Sequence, residues 1–132
     1  MSNVCAGRGD PATVLVVDDA EAVRELVRLA LQGTGRRIVV AASGAEAVAE
    51  AAGLPIDLLV TDVLLPDLSG PELAAVLRAE HPTLRVIYIS GWYDHADFPG
   101  VRDGPLLTKP FSIDDLRRAV AAAFDDAGEG PA

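Results

Sequence analysis

Asp18, Asp19, Asp62, Ser90 and Lys109 are the residues of this chain whose types and positions could do chemistry together. Asp18 and Asp19 follow the apolar run TVLVV, and Asp62 follows LLVT. Ser90 follows RVIYI and precedes Gly91, while Lys109 follows LLT and precedes Pro110 and Phe111. Three carboxylates held within a few ångströms repel one another and raise one another's pKa. A hard divalent cation relieves that repulsion, and an oxygen-rich set suits Mg²⁺, which keeps some of its waters. A carboxylate oxygen in such a setting can act as a nucleophile toward phosphorus and form an acyl phosphate. The oxygens of the arriving group then require positive charge and hydrogen-bond donors. The Lys109 ammonium and the Ser90 hydroxyl have that capacity.

Taken singly, each of these residues has a plainer reading. An Asp-Asp pair after a strand serves as a turn and helix cap, a serine after a strand also caps, and a lone lysine is a solvated surface charge. The chemical reading depends on all of them reaching one place, so the elements between them matter. Thr13–Val17, Arg37–Ala41, Leu58–Thr61, Arg85–Ile89 and Leu106–Thr108 read as strands, the first a continuous apolar run of the kind buried on both sheet faces. Between them lie helical patterns. Ala20 to Gln32 carries Val23, Leu26, Val27 and Ala30 at helical spacing and ends at Gly33 and Gly35. Ser43 caps an Ala-rich helix to about Ala52, where Gly53 and Pro55 stop it. Pro71 opens a third helix with Leu73, Val76 and Leu77 inward, and Ser112 caps a last one with Ile113, Leu116, Val120 and Phe124 toward the sheet. The stretch 91–104, with Pro99 and glycines at its ends, supports at most an irregular turn of helix.

Strands alternating with helices predict a doubly wound α/β domain with a parallel five-stranded sheet. In such a sheet, ligands bind beyond the carboxyl ends of the strands, where strand order reverses. That is the edge where the five residues converge. The ordered body is expected over 12–124, with a disordered lead-in at 1–11 and a disordered tail at 125–132.

Composition narrows the function. The 132 residues carry 11 Lys and Arg against 20 Asp and Glu, a formal net charge of −9, so direct binding to nucleic acid or an anionic membrane is disfavoured. Half the residues are apolar and 5% aromatic, so the core is aliphatic. The single cysteine, Cys5, cannot form an internal disulfide, and no Cys/His cluster suggests zinc. No signal-peptide h-region or membrane span is evident, which makes the cytoplasm the expected compartment. No G-x-G-x-x-G follows a strand, so dinucleotide binding is not expected. Asp57, Asp67, His81 and His95 read as strand-edge, loop or surface groups without chemistry.

The segments VVDD, VTDVLLPDLSG, the Ser-Gly after the fourth strand and the late Lys-Pro-Phe, in that order, resemble the response-regulator receiver family over about residues 13–124. The resemblance implies a flavodoxin-like sheet of order 2-1-3-4-5 and makes Asp62 the phosphoacceptor. It implies Mg²⁺ held by the carboxylates of Asp19 and Asp62 and the backbone carbonyl of Leu64, with Asp18 acting through a metal-bound water. Ser90 becomes the switch hydroxyl, Lys109 the contact to the phosphoryl oxygens, and Gly70 the turn that folds the loop back over the site. The Lys109–Pro110 bond is expected to be cis. A histidine kinase or histidine phosphotransfer protein would supply the phosphoryl group, and an unidentified protein would receive the signal from a monomer or weak dimer. The chain would be a switch and not an enzyme, with at most slow autodephosphorylation.

Three departures from the family pattern stand out. Leu106 occupies a position that is often aromatic, Ala20 follows the Asp pair where a polar residue is common, and 91–104 is a poor helix. The run ISGW to LLTKPF is more similar to receivers that stand alone or belong to hybrid kinases. Trp92 and Tyr93, just beyond Ser90, fit either a partner surface or packing over the loop. A receiver-like module that binds protein without phosphorylation is the alternative reading, although all five site groups are present. A haloacid-dehalogenase-like phosphatase would need an acid two residues after the nucleophile, where this chain has Leu64.

Overall fold

A computed structural model describes residues 12–91 and 104–129, with the backbone alone for 125–129. The first eleven residues, the stretch 92–103 with Trp92, Tyr93 and His95, and the last three residues lie outside the described part, as do the expectations made for them. The strands are β1 (Thr13–Val17), β2 (Arg37–Ala41), β3 (Leu58–Asp62), β4 (Arg85–Ser90) and β5 (Leu106–Thr108). The helices are α1 (Glu21–Leu31), α2 (Gly44–Ala51), α3 (Gly70–Arg78) and α4 (Ile113–Glu129). All strands pair in parallel in the order β2-β1-β3-β4-β5, the doubly wound arrangement expected.

The β-branched and leucine-rich runs become the central strands because burial on both faces rewards side chains that are apolar at every position. β1 and β3 are buried at every residue, and β4 at every residue after Arg85. Alternate residues then feed two cores. Leu15, Val17, Leu59, Val86 and Tyr88 pack under Ala47 and Ala51 of α2 and Leu73, Ala74 and Leu77 of α3. Val14, Val16, Leu58, Val60, Ile87 and Ile89 pack under Val27, Ala30 and Leu31 of α1 and Leu116 and Val120 of α4. Arg117 Nε donates to the Ala30 carbonyl at 2.6 Å and the Arg36 guanidinium lies 4.3 Å from the Phe124 ring centre, so polar contacts fasten α4 beside α1.

The structure shifts some expected boundaries and faces. Asp62 and Ser90 are the last residues of their strands, one step further than the apolar runs indicate, because their backbones stay in register with Ile89 and Thr108. Val76 is 49% exposed and Ile113 38% exposed, although both were expected inward. At about 100° per residue, Val76 lies more than a quarter turn from the centre of the stripe of Leu73, Ala74 and Leu77, so the helix turns it toward solvent. Ile113 is the first residue of α4, a full turn before the buried Leu116 and Val120. The backbone of α4 continues to Glu129, past the expected end at Phe124. Phe124 is the last described side chain on the packed face. α3 begins one residue before Pro71, with Ser69 and Glu72 forming a capping box: the Glu72 N–H donates to Ser69 Oγ at 3.2 Å and the Ser69 N–H to Glu72 Oε1 at 2.9 Å.

Candidate active site

The order β2-β1-β3 reverses direction at β1, so the carboxyl ends of β1 and β3 border the crevice. β1 runs out at Val17. Asp18 then donates its N–H to the Ala41 carbonyl at 3.2 Å, which ties the turn to the end of β2. The Asp18 side chain is fully buried; its Oδ1 accepts the Ala20 N–H at 2.9 Å and fixes the carboxylate. Ala20 is the N-cap of α1 and offers no side-chain cap, so this Asx-type turn sets the entry of the helix. From one turn into α1, Arg24 Nη1 donates to the Asp18 carbonyl at 2.8 Å and holds the Asp18–Asp19 peptide from outside.

Asp62 closes β3 and is 6% exposed. Its Oδ1 accepts the Leu64 N–H at 3.1 Å and its Oδ2 accepts from Lys109 Nζ at 3.0 Å. The same ammonium forms an ion pair at 3.2 Å with Asp18 Oδ2, which has no other partner among the described residues. Lys109 therefore bridges two buried carboxylates from the end of β5. Its own position is set by the donation of its N–H to the Ser90 carbonyl at 2.7 Å, and its bond to Pro110 is cis, as expected. Ser90 ends β4, is 1% exposed, and has a hydroxyl without a hydrogen-bond partner among the described residues.

The electrostatics follow from this crowding. Burial, reinforced by the charge of Asp18, pushes the Asp62 carboxyl above the ordinary aspartate value, while the Leu64 N–H and Lys109 pull against it. Burial works to lower the Lys109 pKa, but the two carboxylates outweigh it and leave the ammonium above the usual lysine value. One carboxylate oxygen each from Asp18, Asp19 and Asp62 lies within 4.8 Å of the others. This all-oxygen set, with Asp18 Oδ2 buried and met among the described residues by the Lys109 ammonium alone, fits a hard divalent cation of the Mg²⁺ type. Asp19, exposed at the rim, completes the set.

The loop after β3 is a tight hairpin. The Gly70 N–H donates to the Val63 carbonyl at 2.6 Å and the Leu65 N–H to the Leu68 carbonyl at 3.1 Å. Neither bond uses the Leu64 carbonyl, which therefore stays outside the pairing, as a ligand role would need. A Cβ on Gly70 would lie 2.5 Å from the Asp62 carbonyl oxygen, so this return over the strand end has room only for glycine.

All five residues proposed from sequence thus meet at one sheet edge, with Leu64 beside them. Two contributors were missed. Arg24 lies in the amphipathic pattern of α1, and nothing in its spacing marks a bond back to Asp18. Asp67, read as a loop charge, accepts the Gly44 and Ala45 N–H groups with its two oxygens at 2.9 and 2.8 Å. The signal for it was negative: Ser43 satisfies one orphan donor of α2 by accepting the Glu46 N–H at 3.1 Å, and a helix start has several. Asp57 also has a structural role, accepting the Thr13 N–H at 2.8 Å between strand starts. His81, read as surface, is half-buried, and its Nε2 has no hydrogen-bond partner among the described residues.

Comparison with known proteins agrees with this geometry. A family model described as the response regulator receiver domain matches residues 14–121. The sensor kinase CckA of Brucella abortus is 40% identical over 114 residues, which cover 83% of this chain and 12% of that protein. The response regulator receiver protein CpdR of the same organism is 31% identical over 106 residues, covering 78% of this chain and 88% of CpdR. The chain spans less than half the length of the first curated relatives, including transcriptional regulatory proteins of Mycobacterium tuberculosis. The solved structure of the chemotaxis response regulator CheY4 of Vibrio cholerae superposes with a TM-score of 0.74 at 26% identity, over 86% of this chain and 98% of that one. None of the described helices is long and apolar enough to cross a membrane. With its sheet order, its strand-end carboxylates and the family match over nearly the whole described body, the chain belongs to the response regulator receiver domain family of two-component signalling.

Proposed function

We propose that this receiver accepts a phosphoryl group on Asp62 in the cytoplasm and switches a protein-binding face in response. The observation that supports the reading most is the bridge of Lys109 between buried Asp62 and Asp18, at 3.0 and 3.2 Å, beside the oxygen cluster with Asp19. Asp18, Asp19, Asp62 and the Leu64 carbonyl would hold Mg²⁺, Asp18 through a water. The ion would neutralise charge on the transferred group and lower the mutual repulsion of the carboxylates. An Asp62 oxygen attacks phosphorus. The bond from phosphorus to an imidazole nitrogen of a phosphohistidine, or to an acetate oxygen of acetyl phosphate, breaks, and an acyl phosphate forms. Lys109 meets the new oxygens, and Ser90 turns its hydroxyl toward them.

The arriving group adds roughly one to two negative charges, which biases a pre-existing equilibrium of the loops after β3 and β4. The donor is a histidine kinase or histidine phosphotransfer protein, and the receiver turns over no substrate of its own. Leu106 is not aromatic, so output proceeds without an aromatic rotamer at that position. Beryllofluoride titration followed by amide NMR, with and without Mg²⁺, tests the reading. Mg²⁺-dependent shifts around Ser90 and Lys109, absent in Asp62→Ala, support it. Identical spectra under all conditions favour a module that binds its partner without phosphorylation.

Leu64 is 39% exposed beside Asp62 and offers no polar side chain to orient an attacking water. A long-lived phosphoryl group is therefore expected. Leu64→Asn should shorten its half-life, by about tenfold if the amide positions water as a weak general catalyst would. Equal decay rates, read by intact mass over time, would remove this assignment.

A further inference from the structure

The loop that carries Leu64 is anchored at a distance. Asp67 sits at its tip and uses both carboxylate oxygens on the first two backbone N–H groups of α2, Gly44 at 2.9 Å and Ala45 at 2.8 Å. α2 does not depend on Asp67 for its local cap. Ser43 accepts the Glu46 N–H, and Glu46 Oε1 accepts the Ala42 N–H at 2.7 Å. The Asp67 bonds instead join two segments more than twenty residues apart in the chain. The two N–H groups, Gly44 first, hold the Asp67 carboxyl below the ordinary aspartate value, so it is ionised at neutral pH, and the helix dipole favours that charge.

Packing reinforces the anchor. Leu68, the next residue, occupies the space a Cβ on Gly44 would need, so α2 presents bare backbone to the loop at this point. Between anchor and site the chain is tied together by hydrogen bonds. The hairpin bonds from Gly70 to Val63 and from Leu65 to Leu68 close it, and the Leu64 N–H reaches Asp62 Oδ1 at 3.1 Å. A displacement at Asp67 therefore arrives at Leu64 and at the orientation of the Asp62 carboxylate.

We propose that Asp67 is a positioning residue for phosphoryl transfer, mooring the β3–α3 loop to the N-terminus of α2 so that Leu64 holds the Asp62 carboxylate in its reactive orientation. The inference rests on the phosphoacceptor reading of Asp62. Its test measures the rate of phosphoryl transfer from phosphoramidate at saturating Mg²⁺ in wild type, Asp62→Ala, Asp67→Ala, Asp67→Asn and Asp67→Glu. Rates are taken by intact mass at a temperature where circular dichroism shows each variant folded.

Asp67→Ala is expected to slow transfer between about tenfold and a hundredfold, the scale of a small misplacement of a reacting group. Asp67→Asn keeps one acceptor oxygen on the same arm but sets its NH2 against the second N–H, so it should recover part of the rate and transfer faster than Asp67→Ala. Should Asp67→Ala not fold, Asp67→Glu carries the same test: the charge stays, but the longer arm displaces the loop and transfer slows. Alanine or glutamate variants that transfer at the wild-type rate overturn the inference, whatever their melting temperatures. A wild-type chain that takes no phosphoryl group overturns the phosphoacceptor reading and this inference with it.

Discussion

Lys109→Ala is expected to slow phosphoryl transfer to Asp62 by about 10²–10³-fold, the usual loss when one preorganised charge-stabilising group is removed. The ammonium stands 3.0 Å from Asp62 Oδ2 and 3.2 Å from Asp18 Oδ2, and it is held there by strand pairing and the bond to the Ser90 carbonyl. It therefore needs little reorganisation when negative charge arrives. It also stays protonated at neutral pH. Its raised folded-state pKa means that its ion pairs contribute fully below the unfolded value near 10.4 and are lost only as pH rises through the higher folded value. Removing it has a second, opposite consequence. The ammonium competes with a divalent cation for the same oxygens, so Lys109→Ala should bind Mg²⁺ more tightly while reacting more slowly. Titration calorimetry with Mg²⁺, paired with transfer rates, reads both. Weaker Mg²⁺ binding together with slower transfer would indicate a damaged site and contradict this account. Lys109→Arg is not a neutral control, because a planar fork cannot occupy the point position between two carboxylates.

Gly70→Ala should reduce stability by about 1–3 kcal/mol, the range for forcing a methyl group into a filled space, and should slow transfer as well. The added Cβ would fall 2.5 Å from the Asp62 carbonyl oxygen and 3.2 Å from both Val63 Cα and Thr61 Cγ2. The nearest of these atoms is backbone, so relief must come from moving the end of β3 or the loop. Either movement disturbs the residue that does the chemistry. Urea denaturation should show a lower midpoint with an unchanged slope. An unchanged midpoint and unchanged transfer would show that the loop has room that this geometry denies it.

The sheet was legible because its central strands are short, nearly continuous apolar runs, as in VLVV, LLVT and VIYI, the pattern of strands buried on both faces. The site was legible for a related reason: Asp18, Asp62 and Ser90 each follow such a run directly, and Lys109 follows the short edge strand LLT, so finding the strands also placed them. Helix faces were less certain. Val76 and Ile113 fit an apolar pattern in one dimension, but the stripe of Leu73, Ala74 and Leu77 and the position of Ile113 at a helix start turned them outward. The S-x-x-E of Ser69 and Glu72 was a readable cap that the neighbouring Pro71 obscured. Arg24 and Asp67 could not be found locally, since their partners are backbone groups whose proximity exists only after folding. The Asp67 partners lie more than twenty residues away.

Those two residues also show how the acidic site is supported. Burial of Asp18 and Asp62 is costly, and the fold offsets the cost with backbone donors from Ala20 and Leu64 and with one shared ammonium. Arg24 secures the β1 side and Asp67 the β3 side of the crevice. A site assembled from four strand ends in this way keeps its reactive oxygens in place before any ligand arrives.

Intact mass after incubation with acetyl phosphate or phosphoramidate, with and without Mg²⁺, on wild type and Asp62→Ala, decides whether Asp62 accepts a phosphoryl group. A single phosphoryl adduct on the wild type, dependent on Mg²⁺ and absent from Asp62→Ala, is the predicted result. No adduct on the wild type, together with no binding of beryllofluoride, or an adduct that persists in Asp62→Ala, would contradict it.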